Sequence, residues 1–130
     1  MYNYQARVER VVDGDTIDLT ISLGFDIYIK ERVRLFGVDT PETRTRNKKE
    51  KQAGLKAKLF VQEAIEGKNV EIVTDDKGKF GRYLASLWYE HSSVDFDHPR
   101  GTKVLLNKEL IDLKMAKPYY GEKKPDWIEE

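Results

Sequence analysis

Carboxylates and guanidiniums recur in this chain at positions that suit phosphodiester chemistry. Acidic residues cluster in two segments, Asp-Gly-Asp-Thr at 13–16 and Val-Asp-Thr-Pro-Glu-Thr at 38–43, and Arg34 lies between them. A second arginine, Arg82, ends the segment Phe-Gly-Arg at 80–82. Carboxylates hold hard cations, and guanidiniums pair with phosphate oxygens through a fixed fork. Together these residues predict a metal-dependent nuclease that attacks a phosphodiester with water.

Each piece by itself has a simpler explanation. Asp-Gly is a common hairpin turn signal, and the pattern at 39–42 can simply cap a helix. Arg34 is more informative because it lies between Val33 and Leu35, within an apolar strand, where a guanidinium is costly to bury unless it is paired. A buried arginine–carboxylate bridge with a purely structural role is therefore an open alternative.

The hydrophobic pattern predicts the elements that must position these residues. Strict alternation over 16–23 indicates a half-buried strand, and four further strands are predicted at about 4–12, 27–38, 69–74 and 83–89. Apolar residues at helical spacing from Ala57 to Ile65 predict an amphipathic helix that Gly67 stops. We expect Asn107 to cap a second helix, which Pro118 closes.

Five strands with a helix inserted after the third are typical of a small Greek-key barrel. The predicted fold class is thus mainly β with helices (α+β): a five-stranded barrel of the oligonucleotide-binding type, or OB-fold, with two to three α-helices. The chain of 130 residues is expected to form one domain, with a polar tail at about 121–130.

Composition narrows the class of protein further. There is no cysteine, which excludes disulfides, thiolate metal sites and a cysteine nucleophile. No apolar run approaches the roughly 20 residues that span a bilayer, so no membrane association is expected. The first residues show no signal peptide, which is compatible with a cytoplasmic protein or a secreted one whose leader has been removed.

Charge is unevenly distributed although the formal net charge is zero. The segment 43–58 is strongly basic and carries one opposing carboxylate, Glu50. Such a stretch can steer a polyanion towards a neighbouring site, or it can be no more than a solvated loop and helix face. The composition leaves both possibilities open.

Taken together, the motifs resemble the staphylococcal nuclease (thermonuclease-like) family. The order D-G-D-T, R-L-x-x-V-D-T-P-E and G-R matches over about 4–120, and the segment 34–43 keeps the family's spacing without a gap. The resemblance implies an OB-fold barrel with added helices. It also implies Ca²⁺ ligands at the carboxylates of Asp15 and Asp39 and at the carbonyl of Thr40. The implied catalytic residues are Arg34, Glu42 and Arg82.

The resemblance also implies a reaction and a substrate class. We expect a monomer that hydrolyses DNA and RNA with little sequence preference, favouring single-stranded or frayed regions, and that breaks the P–O5′ bond to leave 3′-phosphates. Lys79, Tyr119 and Tyr120 are the expected substrate-binding residues. Whether Glu42 acts as a general base or only positions the water stays open. The alternative function is an inactive module that binds single-stranded nucleic acid or a protein.

Two departures from the family pattern matter for function. Phe80 stands where the family often has a tyrosine, which removes a possible hydrogen bond to a terminal phosphate. The segment 91–101 is longer than usual and contains His91 and His98 with two aspartates. Because the histidine spacing matches no compact metal-binding pair, we expect a polar solvent-exposed loop rather than a zinc site.

Overall fold

The described part of the chain forms a small β-barrel with two helices packed against it. A computed structural model describes residues 2–77, 83–91 and 101–119. The strands and helices, in chain order, are β1 (Tyr2–Asp13), β2 (Thr16–Ser22), β3 (Tyr28–Leu35), β4 (Val38–Asp39), α1 (Lys48–Ile65), β5 (Asn69–Lys77), β6 (Tyr83–Glu90), β7 (Lys103–Leu105), α2 (Leu106–Asp112) and β8 (Lys117–Pro118). None of the helices within the described ranges has the length and apolar character needed to cross a bilayer.

Five strands close the barrel. The sheet order is β3-β2-β1-β5-β6-β7, and β3 also pairs in parallel with β6, which joins the two ends. The long strand β1 pairs with both β2 and β5, and its register with β2 shifts after Val8 and again after Val11. Such bulges bend a strand and increase its twist, as closure requires. The prediction of a five-stranded OB-type barrel with helices is confirmed.

The alternating pattern of the strands explains the core. Ile17, Leu19 and Ile21 on β2 point inward and are fully or nearly fully buried, while the residues between them face outward. Val61 and Ile65 of α1 are also buried and pack against the core cluster of the barrel. One face of each element is therefore buried, which fixes the strand register and the direction of every outward side chain.

The third strand is interrupted where the prediction had it continue. β3 ends at Leu35, Gly37 adopts a left-handed φ of 77°, and the chain then forms the separate short strand β4. β4 pairs with β8, with Val38 opposite Pro118 and Asp39 opposite Lys117. A residue with positive φ breaks the pleat, so Asp39 leaves the barrel sheet for a second, two-stranded one.

The prediction that Asn107 caps the second helix is wrong. α2 begins at Leu106, its N-cap is Leu105 without a side-chain cap, and Asn107 lies inside the helix and is buried. Its side chain bonds backbone groups of the barrel instead of the helix end. The helix ends at Asp112, before Pro118, which lies in β8. Tertiary partners have thus overridden a local capping preference.

α1 extends further towards the N-terminus than the predicted helix. It begins at Lys48, and Asn47 caps it by accepting a hydrogen bond from the Glu50 N–H at 3.0 Å. The first turns lack the apolar periodicity because they lie largely exposed, with Gly54 and Ala57 as the first buried positions. The Asn47 cap therefore sets the start of the helix, whereas the apolar periodicity begins only where the helix becomes buried.

Candidate active site

The fold brings Arg34 between the two acidic segments. Arg34 Nη2 lies 2.9 Å from Asp39 Oδ1 and 3.5 Å from Asp15 Oδ2. The side chains of Asp39 and Asp15 are 4% and 9% exposed, and that of Arg34 is 17% exposed. Two largely buried carboxylates thus share contact with a guanidinium that is still reachable from solvent. The grouping predicted from sequence exists for these three residues.

Asp15 is held by backbone and side-chain donors around it. Its Oδ2 accepts from the Thr40 N–H at 3.1 Å, and its Oδ1 accepts from the Thr16 hydroxyl at 3.0 Å. Its own carbonyl accepts from the Leu35 N–H at 2.9 Å, which ties the β1–β2 turn to the end of β3. The carboxylate is therefore fixed in orientation by three neighbouring segments.

Burial dominates the electrostatics of Asp15. Removal from water raises the pKa of this carboxyl above its ordinary value, and the nearby Asp39 carboxylate acts in the same direction. Arg34, the Thr40 N–H and the Thr16 hydroxyl stabilise the charged form but do not fully offset the burial. A further positive charge beside Asp15 would be electrostatically favourable.

Tyr119 lies against the same guanidinium. The Cζ atom of Arg34 is 5.3 Å from the centre of the Tyr119 ring, a cation–π contact. The Tyr119 N–H donates to the Gly37 carbonyl at 3.0 Å, directly after the β4–β8 pairing. The pairing of β8 with β4 therefore carries this tyrosine to the site, and its ring restricts the orientation of Arg34.

Glu42 lies on an exposed loop that the structure anchors on both sides. Its N–H donates to Glu50 Oε2 of α1 at 3.4 Å, and the neighbouring Thr43 hydroxyl donates to Asp13 Oδ1 at 2.6 Å. Asp13, which is not among the ligands that the family resemblance implies, thus acts as an anchor for the loop. Glu42 is exposed and follows two residues after Thr40, whose N–H donates to Asp15.

Two glycines allow this loop to approach the barrel and α1. A Cβ at Gly14 would lie 2.9 Å from Thr40 Cγ2, and a Cβ at Gly54 would lie 2.6 Å from the Pro41 carbonyl oxygen. The second contact is with backbone, which has little freedom to move. Sequence reasoning read Gly14 only as part of a turn and missed Gly54. A buried glycine within a helical pattern is the signal that could have identified it.

We predict that Gly54→Ala destabilises the protein, although alanine is the better helix former. Alanine in place of glycine usually gains about 1 kcal/mol in a helix, but here the methyl group would overlap the carbonyls of Pro41 and Glu42, and overpacking costs about 1–3 kcal/mol. Urea denaturation measures the effect, with the exposed helix position Gln52→Ala as control. A more stable Gly54→Ala protein would contradict the packing described here.

The donor set at the site fits a hard cation. Two carboxylate side chains lie beside the Thr40 backbone, and Thr40 Oγ1 is a buried polar atom without a hydrogen-bond partner among the described residues. Oxygen donors of this kind are what Ca²⁺ and Mg²⁺ prefer. Across residues 2–77, 83–91 and 101–119, no group of three or more His, Cys, Asp or Glu side chains is arranged to hold a metal ion. The coordination shell of a metal ion at this site would thus include the Thr40 carbonyl and water in addition to the two aspartates.

Several of the predicted residues cannot be placed relative to this site. Arg82, Lys79, Tyr120 and most of the 91–101 loop are outside the described residues. The basic stretch lies on the loop before α1 and along that helix, mostly exposed, as a solvated face requires. Its ability to steer a polyanion stays a prediction.

Comparison with known proteins places this site in a family. Residues 32–128 match the family described as "Staphylococcal nuclease homologue". The chain is 42% identical over 112 residues to a thermonuclease of Staphylococcus intermedius and 30% identical over 113 residues to one of Staphylococcus hyicus; each alignment covers 85% of this chain and 54% of the relative. An uncharacterized protein of Methanocaldococcus jannaschii is 31% identical over 137 residues, covering 90% of this chain and 60% of the relative.

The chain therefore spans little more than half the length of these relatives. The family match begins within β3 and includes Arg34 together with the acidic segment that follows it. Barrel topology, the clustered site and the similarity over most of this chain agree with one another. The chain belongs to the staphylococcal nuclease family.

Proposed function

We propose that this protein is a calcium-dependent, largely sequence-nonspecific nuclease that hydrolyses DNA and RNA. The observation that carries the proposal is the largely buried Asp15–Arg34–Asp39 group, whose arginine is still reachable from solvent. A buried ion pair often stabilises a fold less than well-packed apolar residues would at the same positions. A charged group at this depth, still open to solvent through Arg34, supports a role in binding or chemistry.

Asp15, Asp39 and the Thr40 carbonyl are the residues that would hold Ca²⁺. The ion would supply positive charge to a bound phosphate oxygen. The orientation of the Asp15 carboxylate by Thr16 and Thr40 supports this role, because ordered ligands reduce the reorganisation that binding requires.

Arg34 provides the fixed donor for the phosphate. Its planar fork can pair with two phosphate oxygens at once, which lysine cannot do. Contacts with Asp39 and the Tyr119 ring hold the guanidinium in place before substrate arrives. Arg82 is the proposed second donor, on the strength of the family motif. Charge that develops on the phosphate during attack is stabilised by such preorganised donors, each worth about 10²–10³ in rate.

Glu42 is the proposed partner of the attacking water. It is exposed on a loop whose two anchors hold its backbone, so that its carboxylate can accept a proton or orient the water. Attack on phosphorus breaks the P–O5′ bond, and the leaving oxygen takes a proton to become a 5′-hydroxyl. The phosphate stays on the 3′ end. Single-stranded or frayed DNA and RNA are the proposed substrates, and the active form is a monomer.

Product analysis tests this function against its rivals. Single-stranded DNA and RNA are incubated with the protein and calcium, or with EDTA, and the product ends are assayed for phosphate. The proposal expects cleavage only with calcium and phosphates only on 3′ ends. Binding that survives EDTA without any cleavage would instead indicate an inactive binding module. Absence of both binding and cleavage would indicate a structural role for the charged group.

A further inference from the structure

The outer face of β3 carries a row of side chains that leads away from Arg34. Val33 and Leu35 are buried, so the alternate positions Tyr28, Lys30, Arg32 and Arg34 face outward. Same-face positions on a strand lie about 6.7 Å apart, and the row therefore spans about 20 Å. Its spacing is comparable to that of successive phosphates along an extended single strand.

Neighbouring strands add both basic and acidic side chains to this face. Lys30 of β3 lies opposite Thr20 of β2, and Thr20 in turn lies opposite Arg7 of β1. Two residues further along β3, Arg32 lies opposite Asp18 of β2. Arg32 pairs with Asp18 at 2.7 Å and Arg7 with Glu9 at 3.8 Å, but both pairs are exposed and such pairs are weak. Lys30 has no ion-pair partner among the described residues. Among the basic residues named on this face, Lys30 is thus the one whose charge no described carboxylate offsets through an ion pair.

An open cleft lies at the far end of the row. Its volume is about 350 Å³, and it is lined by Gln5, Arg7, Thr20, Ser22, Tyr28 and Asn69. Amide and hydroxyl groups of this kind donate and accept hydrogen bonds, as the edge of a nucleobase requires. Tyr28 is 60% exposed and offers a ring face on which a base can stack. Most of the exposed lining is apolar surface, which suits the faces of a base, and the amide and hydroxyl groups lie among it.

We propose that this cleft binds an unpaired base of single-stranded nucleic acid whose backbone follows Arg32 and Lys30 away from Arg34. An unpaired base is required because pairing and stacking in a duplex cover the edge and faces that the cleft would contact. The inference rests on the proposed nuclease function for placing the reacting phosphate at Arg34. Binding in the cleft itself does not require cleavage, so the two proposals can fail separately.

Two measurements test the base-binding cleft. In EDTA, fluorescence anisotropy gives the affinity of the full chain for a labelled single strand of about 12 nucleotides, a length typical of OB-fold sites. We expect Tyr28→Ala to weaken binding about 5- to 100-fold, whereas Tyr28→Phe keeps the stacking face and retains affinity. Lys30→Gln should weaken binding and reduce the salt slope by about 0.7, while Lys108→Gln on α2 leaves both unchanged.

The second measurement uses cleavage with calcium. A substrate of about 2 nucleotides cannot reach from Arg34 to the cleft, so Tyr28→Ala should cleave it at the wild-type rate, but the KM of this variant for the longer strand should rise. If Tyr28→Ala binds the long strand as tightly as wild type, or if a blunt duplex loses as much affinity as the single strand, the inference is overturned. Failure of the wild-type protein to bind single strands would also overturn it.

The same measurements separate this inference from the proposed function. Tyr28-sensitive binding in EDTA without cleavage in calcium would support the cleft and contradict the nuclease. Cleavage in calcium with Tyr28-independent binding would support the nuclease and contradict the cleft.

Discussion

Arg34→Lys is expected to reduce the rate of phosphodiester cleavage about 10²–10³-fold while the protein remains folded. Lysine keeps the positive charge that separates the carboxylates of Asp15 and Asp39, but it has no planar fork for two phosphate oxygens. Arg34→Ala is a less specific test, because removing the cation would leave two largely buried carboxylates close together and would itself destabilise the site. Initial rates on single-stranded DNA with calcium measure the effect, and circular dichroism confirms folding.

Lys103→Ala is a suitable control for Arg34→Lys. Lys103 forms an exposed ion pair with Glu71 at 3.2 Å. It lies opposite Glu90 of β6, about 20 Å along that strand from Leu84, which lies opposite Arg34. Breaking this pair is expected to leave the rate within about twofold of wild type, since exposed pairs contribute little. Arg34→Lys activity close to the wild-type rate would show that charge alone suffices and would contradict the proposed fork.

Asn107→Ala is expected to lower the free energy of unfolding by about 2–4 kcal/mol. The Asn107 amide donates to the carbonyls of Phe36 at 2.9 Å and Ala85 at 3.1 Å, and its oxygen accepts from the Leu87 N–H at 3.0 Å. Removing it breaks three hydrogen bonds. The Ala85 carbonyl still accepts from the Phe36 N–H at 2.8 Å, but the Leu87 N–H loses its amide partner, and an unsatisfied buried group costs about 1–3 kcal/mol. Urea denaturation measures the loss.

Two further variants show whether these hydrogen bonds are the cause. Asn47→Ala removes the cap of α1, a single partly buried bond, and should cost only about 1 kcal/mol. Asn107→Asp preserves the shape but loses both amide donors, so it should be about as destabilising as alanine. An Asn107→Ala protein no less stable than Asn47→Ala would contradict the role assigned to this residue.

The sequence predicted those features whose burial is reflected in the local spacing of apolar residues. Alternation along β2 indicated a strand because one of its faces is buried, and Arg34 was conspicuous because its neighbours are core residues. The family motif then supplied the grouping of Asp15, Asp39 and Thr40, which the fold brings together. The strand could be predicted from its own segment, whereas the site required the joint spacing of several segments.

Features that depend on distant contacts were not predictable in this way. Asn107 has the composition of a helix cap, but its partner Phe36 is 71 positions away, and only the closed barrel brings the two together. β4 and β8 have two residues each, too short for any periodicity, and they form only because they meet. Gly54 matters through the backbone of Pro41 and Glu42, on a separate segment that no local pattern connects to it.

The most direct test of the proposed function is the initial rate of single-stranded DNA cleavage by the wild-type chain, measured in parallel with calcium and with EDTA. Glu42→Gln, purified in the same way, controls for contaminating nucleases. The account predicts a rate with calcium at least about 10²-fold above that with EDTA, and little activity for Glu42→Gln. DNA left intact with calcium from neutral to alkaline pH would contradict it, as would equal cleavage with EDTA.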